Sequence, residues 1–557
     1  MTKTTTILII TMIVAVMGLS VVTLSIPEAV AIGTSIRENA PQSGQWTNWG
    51  GDLSNTKNAQ TEAKLTTDNI SGLQVDWVYD AGGYVSAFPV VKGDMTYFVS
   101  RDAATGATLH AVNHRTGEAV WSNPISNYVS GTDARVSPAI HGNLLILGSL
   151  MTTEGAQVFA VNRLTGEEVW QTGMDEHFTS IITQSPTVYK NNVYVGVSSL
   201  EEVFAAFPGY VCCTFIGSMA SLDAQTGDIL WQTYTAPERP VGTAPNDWYS
   251  GNSVWGSSPA IDPKRNAVYV ATGNNYETPN HLEDCIADAE TLTTEEEREA
   301  AKLVCQEDVD VPGNLFDAII SFDLDTGDIN WANKLWSSDS WNVACAPFLV
   351  PGGVPANCPD PFSPDYDFGQ APMLFTTTGD APRDLVGAGQ KSGVFWALDP
   401  DNGEIVWSTI PGPGGILGGM QWGSATDGDR VYGTITGGFG VSYDIVDVNG
   451  DVTEDVTGGS WWAADAATGE ILWQTAAPDS SLLQGGVSVA NGILFSGTGG
   501  GLMIAMDAST GEILWDMQTS GSIVSAPSIV NGKLIWGTGY TPGFGVPNDK
   551  VFALSVN

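Results

Sequence analysis

Three short segments carry the residue types that could do chemistry. Ser198-Ser199-Leu200-Glu201-Glu202 follows the apolar run V-Y-V-G-V, and Thr272-Gly273-Asn274-Asn275 follows A-V-Y-V-A. Pro364-Asp365-Tyr366-Asp367-Phe368-Gly369 comes just before a third apolar run. Carboxylates and an amide at corresponding strand ends, if they converge, form an all-oxygen site for a hard cation such as calcium. Taken singly, each segment also has a plainer reading: a solvated Glu pair, a turn, a capped strand entry. The chain has only five His and no zinc, Ser-His-Asp or phosphate-loop signature. It has no C-x-x-C-H, so it holds no covalently attached c-type haem.

The elements that must position these segments are set by a repeat. An eleven-residue phrase (small residue, x, Asp or Asn, polar residues, Gly, acid, two residues, Trp) recurs seven times. Its copies are Ala111–Trp121, Ala160–Trp170, Ser221–Trp231, Ser321–Trp331, Ala397–Trp407, Ala463–Trp473 and Ala505–Trp515. The Asp or Asn bonds back into the turn it opens, and Gly supplies the positive φ. Each copy predicts a tight hairpin ending in a bulky anchor. The shortest Trp-to-Trp intervals match one propeller blade, roughly 40–50 residues. Ala553-Leu554-Ser555 resembles the start of an eighth phrase, and Trp77 can supply its missing Trp. The prediction is an all-β, eight-bladed propeller over residues 45–557, with the last blade built from both chain ends. A seven-bladed ring is the alternative.

Composition bounds the rest. The net charge of −41 argues against nucleic acid and anionic membrane surfaces. It suits a solvated acidic shell, and it could also steer a cationic partner such as a basic redox protein. Residues 1–31 read as a secretory signal: Lys3, an apolar run from Ile7 to Leu24, then Ala29-Val30-Ala31. An uncleaved anchor is the alternative, and membrane contact is expected only in that case. The expected location is periplasmic, extracellular or at the cell surface. The six Cys fit an oxidising compartment and fall in local pairs, Cys212 with Cys213, Cys285 with Cys305 and Cys345 with Cys358. Insertions are expected at 278–314 and 337–366. The first should hold a short helix with Thr294 and Glu297 as a capping box.

The repeat A-x-D-x-x-T-G-E-x-x-W resembles the tryptophan-docking motif of the quinoprotein alcohol dehydrogenases, which are eight-bladed propellers using pyrroloquinoline quinone. The resemblance is strongest to the polyvinyl-alcohol dehydrogenase branch. It rests on C-C-T-F-I-G-S-M-A-S-L-D-A-Q-T-G at Cys212–Gly227, W-G-S-S-P-A-I-D-P-K-R at Trp255–Arg265, A-T-G-N-N-Y at Ala271–Tyr276, and Asp365–Leu374. It spans roughly Gln45 to the C-terminus. Non-catalytic outer-membrane assembly propellers share a weaker form of the repeat.

The resemblance implies roles for particular residues. Glu201 and Asn274 match metal ligands, with Ser198 beside the quinone. Asp365 matches the catalytic base, which also touches the metal. Asp367 falls where lanthanide-using relatives carry an extra carboxylate. Lys391, Arg135 and Thr183 resemble quinone contacts, and Trp255 resembles the Trp stacked on the quinone plane. The implied cofactors are the quinone with calcium or a lanthanide. The implied partners are an alcohol, secondary or polymeric alcohols among them, and a separate electron acceptor such as a cytochrome c. Two departures stand out. Trp341 is followed by Asn342 rather than Asp, which makes Asp339 a second candidate base. The Cys212-Cys213 pair follows the metal Glu rather than preceding it. The competing reading is a non-catalytic propeller that binds protein or polysaccharide.

Overall fold

The phrase folds as its residues require. Asn113 Oδ1 accepts from the backbone N–H groups of Arg115 and Thr116, and Asp223 does the same for Gln225 and Thr226. The glycine then takes a positive φ, as at Gly117 (72°) and Gly227 (78°). A computed structural model describes residues 44–150, 152–244, 247–346, 355–379, 381–438, 441–541 and 545–556. The predicted signal segment, residues 1–31, lies outside the described residues.

The strands form an eight-bladed propeller of antiparallel sheets. The closing blade pairs Leu73–Asp80 with Lys550–Val556, so the two chain ends share one sheet as the sequence predicts. All three expected cysteine pairs are disulfides. The capping box forms on the helix Glu295–Asp308, with Thr294 as its N-cap. A second helix, Asn280–Glu290, precedes it. Leu282, Ile286 and Ala289 bury one of its faces, and the Cys285–Cys305 disulfide ties the pair together.

Blades are joined by the repeat itself. The Nε1 of Trp77, Trp170, Trp331 and Trp473 donates to His114, Ala224, Pro400 and Ala508 carbonyls in the next blade, at 3.0–3.1 Å. The phrase glycine of that next blade lies flat on the ring. A Cβ at Gly227 would sit 2.5 Å from Trp170, and one at Gly403 2.5 Å from Trp331. Glycine is therefore needed twice at each turn, for its φ and for the approach of the neighbouring indole.

The innermost strand of each blade would otherwise present unpaired edges to the axis. A strap formed by residues 45–62 crosses them. Gln45–Trp46 pairs with Val91 and Lys92. Ile140, Ile261, Leu374, Thr426 and Val489 donate in turn to the carbonyls of Thr47, Leu53, Ser54, Thr56 and Lys57. Lys57 is fully buried in this strap, 4.1 Å over the Trp49 ring, with the Ser424 carbonyl as its acceptor. Burial pulls its ammonium down to about 7, against the pull of Asp52 in the other direction.

Two predictions follow from these contacts. Gly227→Ala should cost at least about 1 kcal/mol more than Gly93→Ala in urea unfolding. Gly93 has a positive φ but no atom within 4 Å of a built Cβ, so equal losses would show that indole contact is not what demands glycine. Lys57→Met removes a group that the folded state binds as a proton less tightly than the unfolded chain. Between about pH 7 and 10 the unfolded state holds more protons, so wild-type stability should rise relative to Lys57→Met, by more than about 1 kcal/mol. A difference that is flat across that window would contradict the burial argument.

Candidate functional site

Propeller topology alone brings the candidate residues to one face. Glu201, Asn274 and Lys391 follow the second strands of their blades, Asn192–Ser199, Ala267–Ala271 and Asp384–Gly389. Arg135, Thr183, Trp255 and the segment Asp365–Asp367 precede the first strands of theirs, Ala139–His141, Thr187–Tyr189, Ala260–Asp262 and Met373–Thr376. In an up-and-down blade both kinds of connection open on the same side. Both insertions and the Cys212–Cys213 pair also lie in such connections.

Lys391 is the centre of the arrangement. Its Nζ lies 2.5 Å from Asp367 Oδ1 and donates to both oxygens of Asp365 at 3.1 and 3.2 Å. Burial alone would pull this ammonium down, but Asp365, Asp367 and Glu202 hold it far above its usual range. The other oxygen of Asp367 accepts from Trp255 Nε1 at 2.7 Å. That indole is wedged between two glycines: Cβ atoms at Gly273 and Gly369 would meet it at 3.2 and 3.1 Å. It also stands edge-on to Trp422, at 5.6 Å between centroids, with Lys391 Nζ 5.2 Å over its ring.

Asp365 has φ 63°, a left-handed conformation that Asp tolerates better than most residues. Asp339 holds it there. The Asp339 carboxylate accepts from the backbone N–H groups of Asp365 at 3.2 Å and Tyr366 at 2.5 Å. The second candidate base is thus a cradle for the first. Burial pushes Asp339 up to about 6 and Asp365 well above the carboxylate range. Asp317, which sequence reasoning missed, is fully buried and shares a side-chain hydrogen bond with Asp339. Burial and the nearby Asp339 and Asp367 push it far up. No motif surrounds Asp317, so nothing in the sequence pointed to it.

The structure divides the Glu pair. Glu201 is fully buried, and its carboxylate is already saturated. It accepts from Tyr210 Oη at 2.6 Å, Thr214 N at 2.9 Å and Phe215 N at 2.7 Å, and His177 Nε2 lies 3.6 Å away. Burial opposes ionisation, but His177, Tyr210 and Phe215 outweigh it and hold Glu201 low. Its neighbour Glu202 is the residue that senses the centre. Burial raises Glu202 to about 7, with Lys391 and Arg135 pulling it down and Asp367 pushing it up. The expected metal ligand Glu201 is therefore placed among protein donors, and Glu202 among the charges of the site.

Asn274 is 1% exposed. Its Nδ2 donates to the carbonyls of Asn275 and Trp341, which leaves Oδ1 buried with no donor. Ser198 is buried, in register with Ile181. Thr183 Oγ1 donates to the Trp255 carbonyl at 3.4 Å. Thr183 and Arg135 line a cavity of about 50 Å³ with Trp49, Trp422 and Tyr540. The Arg135 guanidinium stacks 5.5 Å over Trp422 and forms no ion pair among the described residues.

This arrangement has a charge surplus. Asp365 and Asp367 contact a single buried ammonium, and the charges of Glu202, Asp317 and Asp339 lie near this pair. No three of His, Cys, Asp or Glu among the described residues form a ready-made metal cluster. Yet the donor set is all oxygen, and Asn274 Oδ1 is buried without a donor, which fits a hard cation. A guanidinium on an indole, hydrogen-bonded to Tyr540 but with no ion pair among the described residues, fits a flat anionic ligand.

The two glutamates make a test. Glu201→Gln should destabilise the fold by about 2–3 kcal/mol, since two backbone donors and a tyrosine lose a charged acceptor. Glu202→Gln should be neutral or stabilising, since it removes a half-buried charge pushed up by burial and by Asp367. Chemical denaturation of both variants checks this. Equal losses would contradict the division of roles.

Sequence comparison agrees with the fold. The chain belongs to the PQQ_2 family, whose model, described as outer membrane protein assembly factor BamB, matches residues 58–333 and 459–553. It is 29% identical over 473 residues to a polyvinylalcohol dehydrogenase of Sphingopyxis sp. (strain 113P3), covering 82% of this chain and 64% of that one. It is 28% identical over 395 residues to a polyvinylalcohol dehydrogenase of Pseudomonas sp., covering 70% of this chain and 54% of that one. The chain thus spans a little over half to just under two thirds of the length of these relatives. Among solved structures it resembles the quinohemoprotein alcohol dehydrogenase of Comamonas testosteroni, with TM-score 0.67 and 20% identity, covering 94% of this chain and 82% of that one. At that identity the likeness speaks for the fold.

Proposed function

We propose, from its family membership and the chemistry of its central face, that this chain is an exported alcohol dehydrogenase dependent on pyrroloquinoline quinone. The observation that carries the reading is the contact of Lys391 with both Asp365 and Asp367, beside the orphaned oxygen of Asn274. The two relatives named polyvinylalcohol dehydrogenase support it.

The quinone, when bound, supplies a two-electron acceptor that takes the carbinol hydrogen as hydride. A calcium or lanthanide ion would supply Lewis-acid polarisation, held by Asn274, Asp365 and Asp367 with a carboxylate of the Glu201-Glu202 pair. Glu201, the ligand implied by resemblance, is held in place by Tyr210, Thr214 and Phe215. Asp365 takes the hydroxyl proton, in a buried setting where its affinity for that proton is high. Lys391 orients this carboxylate and keeps a positive charge beside the reacting centre. Arg135, Thr183 and Ser198 border the space for the quinone. Trp255, fixed by Asp367 and two glycines, offers it an aromatic face. The alcohol leaves as a ketone or aldehyde, and the electrons go to a separate acceptor such as a cytochrome c. Substrates would include secondary and polymeric alcohols.

The family model's description favours one other reading, a propeller that assembles with other envelope proteins and does no chemistry. Reconstitution separates the two. Purified protein loaded with the quinone and either calcium or a lanthanide should reduce a dye in the presence of alcohol. Asp365→Asn should lower this rate by about 10²- to 10⁴-fold while leaving the melting curve in place. Failure to bind quinone with either metal would favour the assembly reading.

A further inference from the structure

A second set of carboxylates meets where the strand Asn275–Glu277 runs into the helix Asn280–Glu290. Glu277 is 7% exposed, yet no hydrogen bond or ion pair reaches its carboxylate among the described residues. The charge it feels most is that of Glu283, in the first turn of the helix. Thr278 is buried and sets its hydroxyl beside the Glu283 carboxylate. Burial, and then the charge of Glu283, push Glu277 up to about 9. Burial likewise pushes Glu283 up to about 7, with the Thr278 hydroxyl pulling the other way and Asp360, Asp284 and Asp247 adding to the rise.

No cation of the chain answers this charge. The insertion has basic side chains, but they are used elsewhere: Arg298 and Lys302 pair with Glu290, Glu295 and Glu299, and Lys334 with Asp310. Two carboxylates left in this state either hold protons or share a cation. The donors are all oxygen, which selects a hard ion. No third Asp, Glu, His or Cys completes a ready-made cluster among the described residues, so water and backbone oxygens must fill the shell. Calcium accepts such a mixed, irregular set of roughly six to eight oxygens, whereas magnesium demands a near-ideal octahedron.

The position gives such an ion a purpose. Asp247, in the connection before Ser250–Gly251, accepts from Asn280 N at 2.9 Å and so already ties that connection to the helix. Asp360 brings in the second insertion. Glu277 lies three residues beyond Asn274, on the strand that leaves the candidate site. The charges that shift Glu277 are those of Glu283 and Glu201, not those of Asp365, Asp367 or Lys391.

We infer that Glu277, Glu283 and the Thr278 hydroxyl form a second cation site, separate from the one around Asp365, that takes calcium and fastens the helical insertion to the strand carrying Asn274. Asp247, Asp284 and Asp360 supply an outer negative field that draws the ion in.

Equilibrium dialysis of the whole chain against calcium chloride, after chelation and with no quinone present, tests this. Wild-type protein should hold one more calcium per chain than Glu277→Gln/Glu283→Gln. The same difference should appear in an Asp365→Asn background, because the second site does not use Asp365. In that background calcium should also raise Tm and slow proteolysis of the helical insertion, and both effects should vanish with the two glutamines. Should the double variant fold poorly, Glu283→Gln alone, at a half-buried position, should weaken calcium binding by at least about tenfold, the lower end of what losing a ligand's supporting partner costs. Equal calcium content with and without the glutamines, or a Tm in the Asp365→Asn background that calcium does not move, overturns the inference and leaves the pair as buried neutral acids. The result is independent of whether the protein oxidises any alcohol.

Discussion

Everything in this molecule depends on an indole lying against a glycine of the next blade. A four-stranded sheet is too small to bury both of its faces, so each blade is stable only against its neighbours. The Trp ring supplies a large apolar area to that contact, and its N–H fixes the register by reaching one carbonyl in the adjoining turn. The glycine makes the approach possible. The same geometry recurs from Trp77 against Gly117 to Trp473 against Gly511. Seven phrase glycines meet an indole in this way, and Trp515, at the interface with the closing blade, has no such glycine against it among the described residues. The strap formed by residues 45–62 reinforces this from the axis by pairing with inner strands that have no other partner there.

Once the ring is closed, function becomes a matter of which connections are decorated. Every charged group of the candidate site sits in a connection on one face, and none sits in the repeated phrase. The scaffold can therefore concentrate charges that no small core would tolerate. Asp365 and Asp367 share one ammonium, and the further carboxylates near them are destabilising unless a cation joins them. The ring tolerates this because its stability resides in the blades, away from the axis. Part of the site is internal bracing. Asp339 holds the backbone of Asp365, and Glu201 gathers the N–H groups that follow the Cys212–Cys213 pair. Such supporting groups set the geometry of those that face the ligand.

Much of this was legible in the sequence. The Trp spacing predicts the blade count, and the broken eighth phrase predicts the shared closing blade, because both express a period that the fold obeys literally. The disulfides and the Thr294 capping box are legible for the same reason: each is a local rule acting within a few residues. Four features escaped. Asp317 has no local signature, since its importance comes from which side chains the ring brings against it. The strap does not repeat, so no period marks it. The helix Asn280–Glu290 opens after Pro279 with no side-chain cap, so its start carries no signal. The Glu pair escaped because the difference between its members is one residue of helical rotation.

That last point has a physical consequence. Glu201 and Glu202 begin a four-residue helix, Glu201–Phe204, in which adjacent side chains diverge by about 100°. One of them must therefore point away from the centre. The inward-bonded Glu201 is gripped by two backbone N–H groups, a tyrosine hydroxyl and a histidine, all supplied by the connection that carries the adjacent cysteines. This grip fixes the rotation of the turn, with Glu202 within the field of Lys391 and Asp367. A motif match aligns letters along the chain, and it assigns the ligand to the residue that fits the pattern. The hydrogen bonds add that Glu201 is held in position by the connection that follows it. The donor environment of each oxygen, rather than the position of its residue in a motif, is what distinguishes a ligand from a strut.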